Sequence, residues 1–99
     1  MKKITLFCAG GMSTSMLVKK MQQYCEKEGY EYEISAKAST LLKDEGKKAD
    51  VILLGPQVRF MKDEASKLNV PFGIIDTRAY GMMDAKTVVN QARKLLGEI

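Results

Sequence analysis

The chain has 99 residues, two cysteines, no histidine and a formal net charge of +4 at pH 7. That length suits one domain with a modest core, and no segment approaches the roughly 20 apolar residues of a membrane span. The lysines are scattered among acidic residues and the aromatics do not interleave with basic residues, which argues against a nucleic-acid surface. Without histidine or a CxxC pair, we expect no metal and no cofactor.

The opening stretch predicts a strand that delivers a cysteine to a glycine-rich loop. Lys3 to Phe7 is β-rich and apolar, and Cys8 follows it directly. Ligands of open α/β folds bind at the carboxyl ends of parallel strands, which is where this pattern would place Cys8. Gly10 and Gly11 would let the backbone approach such a ligand closely. The pattern therefore predicts a site for a small ligand beside a thiol.

The three hydroxyl residues that follow predict the start of a helix. Ser13, Thr14 and Ser15 are each suited to cap a helix amino terminus. The free N–H groups and the dipole of that terminus favour an anion, and the same field favours the thiolate form of Cys8. A nucleophile beside an anion site is what cysteine-based phosphoryl transfer needs. Capping and simple burial of the thiol are the structural alternatives.

Helices and strands alternate along the rest of the chain. The apolar patterns predict a helix at 15–28, a strand at 30–38, a helical turn at 40–47, a strand at 50–54, a helix ending near 68, a strand at 70–75, a loop at 76–83 and a helix after Asp84. The inward face of the first helix is predicted to hold Met16, Leu17, Met21, Tyr24 and Cys25.

This alternation predicts one α/β domain over residues 1–99, with three layers and a parallel sheet. The first and third strands are the most apolar, so they should be central, which gives the strand order 2-1-3-4. That order is the flavodoxin-like arrangement short of one strand. We expect the third strand to be the most buried, and Cys8 to face the loop at 55–60.

Three stretches resemble a known family at matching spacing. Residues 6–15 read Leu-Phe-Cys-Ala-Gly-Gly-Met-Ser-Thr-Ser, residues 49–57 read Ala-Asp-Val-Ile-Leu-Leu-Gly-Pro-Gln, and Ile75-Asp76 precedes Tyr80-Gly81. With these stretches, nearly the whole chain resembles the IIB component of the lactose/cellobiose (N,N′-diacetylchitobiose) class of the bacterial phosphoenolpyruvate-dependent sugar phosphotransferase system. The resemblance implies a four-stranded parallel sheet related to that of low-molecular-weight phosphatases.

The resemblance also implies a phosphotransferase role with a phosphocysteine intermediate. Cys8 would accept a phosphoryl group from a phosphohistidine of a IIA protein. It would pass the group to a sugar, by family a β-glucoside such as cellobiose, that is bound by the membrane-embedded IIC component. The protein would then be a cytoplasmic monomer that docks to IIC without entering the membrane.

The predicted site residues fall into two groups. The loop amides, with the hydroxyls among them, would bind the phosphoryl group; these residues are Ala9, Gly10, Gly11, Met12, Ser13, Thr14 and Ser15. Met12 is also a candidate docking contact. Candidates for the mouth of the site or for partner contacts are Gln57, Arg59, Asp76 and Tyr80, with Arg78 as a further surface cation.

Two other functions remain open from the sequence. One is a low-molecular-weight-phosphatase-like or arsenate-reductase-like enzyme. Against it, the Cys-x5-Arg-Ser/Thr loop of tyrosine phosphatases has Thr14 here in place of the arginine, so no cation clamps a phosphoryl transition state. The other is a non-catalytic module of the same fold in which Cys8 is only packing.

Overall fold

The computed structural model describes residues 1–9 and 12–99. The strands within that part of the chain are β1 (Lys2–Cys8), β2 (Tyr32–Ala38), β3 (Val51–Leu54) and β4 (Phe72–Ile74). The α-helices there are α1 (Met12–Glu28), α2 (Leu42–Gly46), α3 (Lys62–Ser66), α4 (Thr77–Gly81) and α5 (Ala85–Leu95). Short 3₁₀ segments precede α2 and α3, at Ser39–Leu41 and Pro56–Met61.

The strands form one parallel sheet in the order β2-β1-β3-β4. In the central strand β1, Leu6 is paired with Ala36 of β2 on one side and with Leu53 of β3 on the other. Every residue of β3 is fully buried, as expected for an apolar strand covered on both faces. The predicted three-layer α/β fold, its strand order and the burial of the third strand are confirmed.

Two apolar clusters hold helices to the two faces of the sheet. The larger cluster joins alternate residues of β1 and β3, such as Ile4 and Leu53, to α1 and α5. The smaller one lies on the opposite face, where Phe7 and Ile52 pack against residues of α2 and α3. This alternation follows from the period of two along a strand. The sheet is thereby packed on both sides, and the carboxyl ends of its strands are the position where parallel sheets bind ligands.

The first helix begins earlier than the sequence predicted. It starts at Met12 rather than Ser15, so Thr14 and Ser15 lie inside its first turn and do not cap it. Met16 was wrongly assigned to the inward face and is 52% exposed. It precedes Leu17 by one residue, so it is rotated by about 100° away from the face that Leu17 shares with Met21 and Cys25. The predictions for Gly10 and Gly11, and for the side chains of Met12 and Ser13, lie outside the described residues.

Two connections also differ from the prediction. Residues 76–83 were predicted to be a loop, but they contain α4, which is too short for a helical apolar period to show in the sequence. The helix predicted to end near residue 68 is instead a 3₁₀ segment followed by α3, with non-helical angles at Val58. Asn69 ends this region at a φ of 57°.

Three strands are narrower than predicted. β2 begins at Tyr32, two residues after its predicted start, β3 begins at Val51, one residue after its predicted start, and β4 covers only Phe72–Ile74. Within residues 1–9 and 12–99, helices of the length and apolar character needed to cross a membrane are absent.

Candidate functional site

Cys8 ends the central strand of the sheet. It is the last residue of β1 and pairs in register with Ala38 of β2. Only 1% of its surface is exposed, and its thiol is free. The thiol thus lies at the carboxyl end of the sheet with a neighbouring strand on each side, which is the position where parallel sheets bind ligands.

Gly55 provides the space beside the sulfur. It follows β3 directly, and its amide donates a 2.9 Å hydrogen bond to the carbonyl oxygen of Phe7. A Cβ atom at Gly55 would lie 2.7 Å from Sγ of Cys8 and 3.0 Å from Oε1 of Gln57. The first distance is shorter than real contacts allow, so a side chain at position 55 would displace the sulfur.

The sequence analysis predicted that Cys8 faces the loop at 55–60, but it did not identify this requirement for glycine at position 55. The signal was present in the strand order. Phe7 pairs with Leu54 in the parallel register, so the next residue of each strand, Cys8 and Gly55, must be neighbours. A glycine directly after a buried strand indicates close approach of another group.

The first turn of α1 lies beside this thiol in the chain. The helix has 17 residues and starts four positions after Cys8. Its first N–H groups have no acceptor within the helix, and the dipole makes that end favourable for an anion. Thr14 in this turn is only 3% exposed, and its Oγ1 is 2.8 Å from the hydroxyl oxygen of Tyr80.

Asp76 and Tyr80 belong to one structural unit, α4. The carboxylate of Asp76 caps this helix by accepting from the amides of Arg78 and Ala79, both at 3.1 Å. Ala79 is buried in the larger apolar cluster, which anchors the helix to the sheet. Asp76 therefore fixes the start of α4, which carries Tyr80, and the exposed Arg78 lies on the outer surface of α4.

An open cleft of about 660 Å³ separates α4 from the 3₁₀ segment. Three predicted mouth residues, Gln57, Arg59 and Tyr80, line it together. The full lining is Pro56, Gln57, Arg59, Phe60, Thr77, Tyr80 and Gly81. The side chain of Phe60 is 76% exposed at this cleft, and Met82, which follows the lining residue Gly81, is 68% exposed. Exposed apolar side chains beside an arginine suit contact with another protein.

The second cysteine has a different setting. Cys25 lies on the inner face of α1 in the larger apolar cluster and is 3% exposed, which confirms its predicted core position. Burial raises the pKa of its thiol, and the positive charge of Arg93 offsets this only in part. A thiol that resists ionisation is a poor nucleophile. Cys25 is therefore a packing residue.

Comparison with known proteins identifies the family. The family model described as "PTS system, Lactose/Cellobiose specific IIB subunit" matches residues 3–91. The chain belongs to this family. The oligo-β-mannoside-specific EIIB component of Bacillus subtilis strain 168 is 45% identical over 97% of each chain. The galactose-specific and cellobiose-specific EIIB components of two Lactococcus lactis strains are also 45% identical, over 96% of each chain.

Solved structures agree with this family and with the fold. The chain superposes on the cellobiose-specific IIB component of Borrelia burgdorferi with a TM-score of 0.80 and 35% identity, covering 97% of this chain and 92% of that one. It superposes on the lactose-specific IIB domain of Streptococcus pneumoniae with a TM-score of 0.78. That match covers 92% of this chain and 96% of the other at 20% identity, and it shows the fold alone. The chain is thus a sugar phosphotransferase component of the lactose/cellobiose type.

Proposed function

We propose that this IIB protein is a phosphocarrier whose acceptor is Cys8. The observation that carries the proposal is the placement of this thiol at the carboxyl end of the central strand, with its sulfur packed against Gly55. Residues 1–99 act as one cytoplasmic, monomeric domain. The donor is the phosphohistidine of a IIA protein, and the acceptor is a sugar bound by the membrane-embedded IIC component.

Neither of the two transfer steps requires a cofactor, because every bond formed is matched by a bond broken. In the first, the thiolate of Cys8 attacks the phosphorus, the P–N bond breaks, and its electron pair returns to the imidazole of IIA. In the second, a sugar hydroxyl attacks the phosphorus, the P–S bond breaks, and Cys8 leaves as a thiolate while a base of IIC takes the hydroxyl proton. Between the steps, backbone N–H groups of residues 9–15 hold the phosphoryl oxygens, with the hydroxyls of Ser13, Thr14 and Ser15 as further donors.

The position of Thr14 supports transfer over hydrolysis. Five residues separate it from Cys8, so it occupies the place of the phosphatase arginine. The Thr14 hydroxyl is buried against Tyr80 and is neutral. A carrier must not hydrolyse its phosphocysteine, so the loss of a cationic clamp is an advantage for transfer and a defect for a phosphatase. We expect no turnover of an aryl phosphate; steady turnover would favour the hydrolase alternative.

The cleft between α4 and the 3₁₀ segment is the proposed docking surface. IIA and IIC must reach the same sulfur in turn, so their surfaces on this chain must overlap around it. Gln57, Arg59 and Tyr80 line the cleft, and Phe60 adds exposed apolar surface suited to a transient interface. In NMR titration with a IIA protein, shift changes should concentrate there. Changes confined to the amino ends of the strands would contradict this surface.

The sugar is proposed to be a β-glucoside such as cellobiose. Relatives with the same 45% identity are named for oligo-β-mannosides, galactose and cellobiose. Similarity along this chain therefore does not follow the sugar, which is consistent with selection by IIC. Replacing only the IIC component in a reconstituted system should change the sugar that is phosphorylated, while this chain stays the same.

The decisive experiment follows the phosphoryl group itself. Labelled phosphoenolpyruvate, the general enzymes of the system and a IIA protein should transfer the label to this chain. Mass spectrometry of peptides, kept near neutral pH, should locate it on Cys8. A chain that stays unlabelled beside a fully phosphorylated IIA, or one labelled at another residue, would refute the proposal.

A further inference from the structure

One hydrogen bond joins the two helices that flank the candidate site. Oγ1 of Thr14, in the first turn of α1, is 2.8 Å from the hydroxyl oxygen of Tyr80 on α4. The two residues are 66 positions apart in the chain. Thr14 is buried, whereas Tyr80 is half-buried and lines the open cleft. The bond therefore runs from the interior, next to the start of α1, to the surface where a partner would dock.

The two helices that carry these hydroxyls, α1 and α4, are each fixed by their own packing. On one side, Asp76 caps α4 and accepts from the amide of Ala79, whose side chain is in the larger apolar cluster. On the other side, Leu17 in the next turn of α1 is fully buried in the same cluster. Two hydroxyls that are each fixed by packing form a bond of defined geometry. That bond ties the orientation of the first turn of α1 to α4.

Two hydroxyl groups bring two protons to this contact, and the bond uses one of them. Either oxygen can be the donor. Whichever donates, the other hydroxyl keeps a proton that is free to meet an acceptor, such as a phosphoryl oxygen. The pair thus supplies orientation and hydrogen bonding at a position where a phosphatase loop would have a cation.

We propose that Tyr80 is a positioning residue for phosphoryl transfer. Its hydroxyl holds Thr14, and through Thr14 it holds the first turn of α1 in the orientation in which the N–H groups of that turn stabilise the phosphoryl group on Cys8. This inference rests on the proposed phosphocarrier function. It goes beyond it by assigning to Tyr80 an effect on the rate of transfer that is separate from partner docking.

The main test is the variant Tyr80→Phe, which removes the hydroxyl and keeps the ring in the cleft. Phosphorylation is followed at increasing concentrations of phospho-IIA. The rate at saturation should fall roughly three- to tenfold, as expected for one hydrogen bond that acts in the transition state. The half-saturating concentration should stay within about twofold, because the docking surface is unchanged.

The matched control is Tyr24→Phe, which removes the hydroxyl of another half-buried tyrosine, in the far part of α1, the helix that carries Thr14. This variant should transfer at the wild-type rate. If Tyr80→Phe raises the half-saturating concentration alone, Tyr80 is a docking residue and the inference is wrong. Equal rates for Tyr80→Phe and the wild type would also overturn it.

A double-mutant cycle tests whether Tyr80 acts through Thr14. Thr14→Val removes the hydroxyl at nearly constant shape, and Tyr80→Phe should then cause no further loss in the double variant. If the losses in transfer rate caused by the two substitutions instead multiply in the double variant, the two hydroxyls act independently. Thr14→Ser keeps the hydroxyl and should restore most of the rate, which gives a reading even where Thr14→Val does not fold.

A separate measurement does not require any partner protein. We expect iodoacetamide to alkylate Cys8 and inorganic phosphate to slow this reaction by occupying the same N–H groups. Tyr80→Phe should raise the phosphate concentration needed for protection about threefold, whereas Tyr24→Phe should not. Unchanged protection would overturn the inference. A wild-type chain that phosphate protects but that phospho-IIA does not label would instead refute the phosphocarrier function.

Discussion

Each end of the sheet has one buried cysteine near it, and the two ends are built differently. At the carboxyl end, Cys8 lies beside Gly55, and the residues that follow Gly55 line the cleft between α4 and the 3₁₀ segment. Towards the amino end, Cys25 lies near the end of α1, where its carbonyl oxygen accepts a 2.8 Å bond from the amide of Tyr30. Both thiols are almost fully buried. Exposure therefore does not distinguish the acceptor from the packing residue, but the surroundings do.

Side chains at the amino end bond to one another, beside an open pocket of about 370 Å³ that Cys25, Tyr30 and Tyr32 line. The guanidinium carbon of Arg93 lies 4.0 Å from the ring centre of Tyr30, and its Nε donates a 3.1 Å bond to the hydroxyl of Tyr32. That hydroxyl donates to Glu98, which also pairs with Lys2 at 3.0 Å. At the carboxyl end, the sulfur of Cys8 packs against Gly55. The side chains at the amino end thus bond to one another, whereas the thiol of Cys8 lies at the end where parallel sheets bind ligands.

The strongest test of this comparison exchanges sulfur for oxygen at each end. Cys8→Ser should keep the fold and reduce labelling by phospho-IIA at least about a hundredfold, because an unactivated hydroxyl is a poor nucleophile at neutral pH. Cys25→Ser should be labelled normally and lose about 1–3 kcal/mol of unfolding free energy, because it puts a hydroxyl into the core. Labelling and urea unfolding measure the two effects. Loss of labelling in a folded Cys25→Ser protein would reverse the assignment.

The second test fills the space at the carboxyl end. In Gly55→Ala, the added methyl group would lie 2.7 Å from Sγ of Cys8, so the sulfur or β3 must shift. We expect labelling and alkylation of Cys8 to fall roughly tenfold, the effect of about 1.4 kcal/mol on either reaction. In the control Gly81→Ala, a Cβ meets no atom within 4 Å, and alkylation should be unchanged. Equal alkylation of both variants would show that the close approach to Gly55 has no effect on the thiol.

The sequence predicted the sheet better than the edge that carries the site. Val51–Leu54 is a continuous apolar run that only a central strand can bury, so the strand order followed from composition. The place of Cys8 followed from that order. By contrast, α4 is five residues long and is fixed by the cap at Asp76 and the burial of Ala79. A single turn has no apolar period, so neither α4 nor the Thr14–Tyr80 bond could be derived from the sequence.

The third test uses pH to compare the two thiols. The pKa of Cys25 is raised by burial in the folded state. Above about pH 8.5, the unfolded chain loses this proton while the folded chain keeps it, so stability should fall as pH rises towards the folded pKa. Cys25→Ser should lack that part of the slope between about pH 8 and 9.5, whereas Cys8→Ser should retain it. Urea unfolding across this interval provides the measurement. Identical slopes in Cys25→Ser and the wild type would contradict a buried, proton-retaining Cys25.

The smallest expected effect tests whether the amino end is structural only. Tyr32→Phe removes the hydroxyl that accepts from Arg93 and donates to Glu98, and it should cost about 0.5–1.5 kcal/mol of unfolding free energy. The bond from Tyr32, and then that from Lys2, lowers the pKa of the Glu98 carboxyl. The lowered pKa adds stability above the unfolded value of about 4.3, and this is lost as pH falls through the folded pKa. Tyr32→Phe should therefore lose less stability than the wild type between about pH 5 and 3.

Phosphoryl transfer at pH 7 should not change, since Tyr32 lies at the start of β2, at the end of the sheet opposite Cys8. A transfer defect in a folded Tyr32→Phe protein would mean that the two ends of the sheet are coupled.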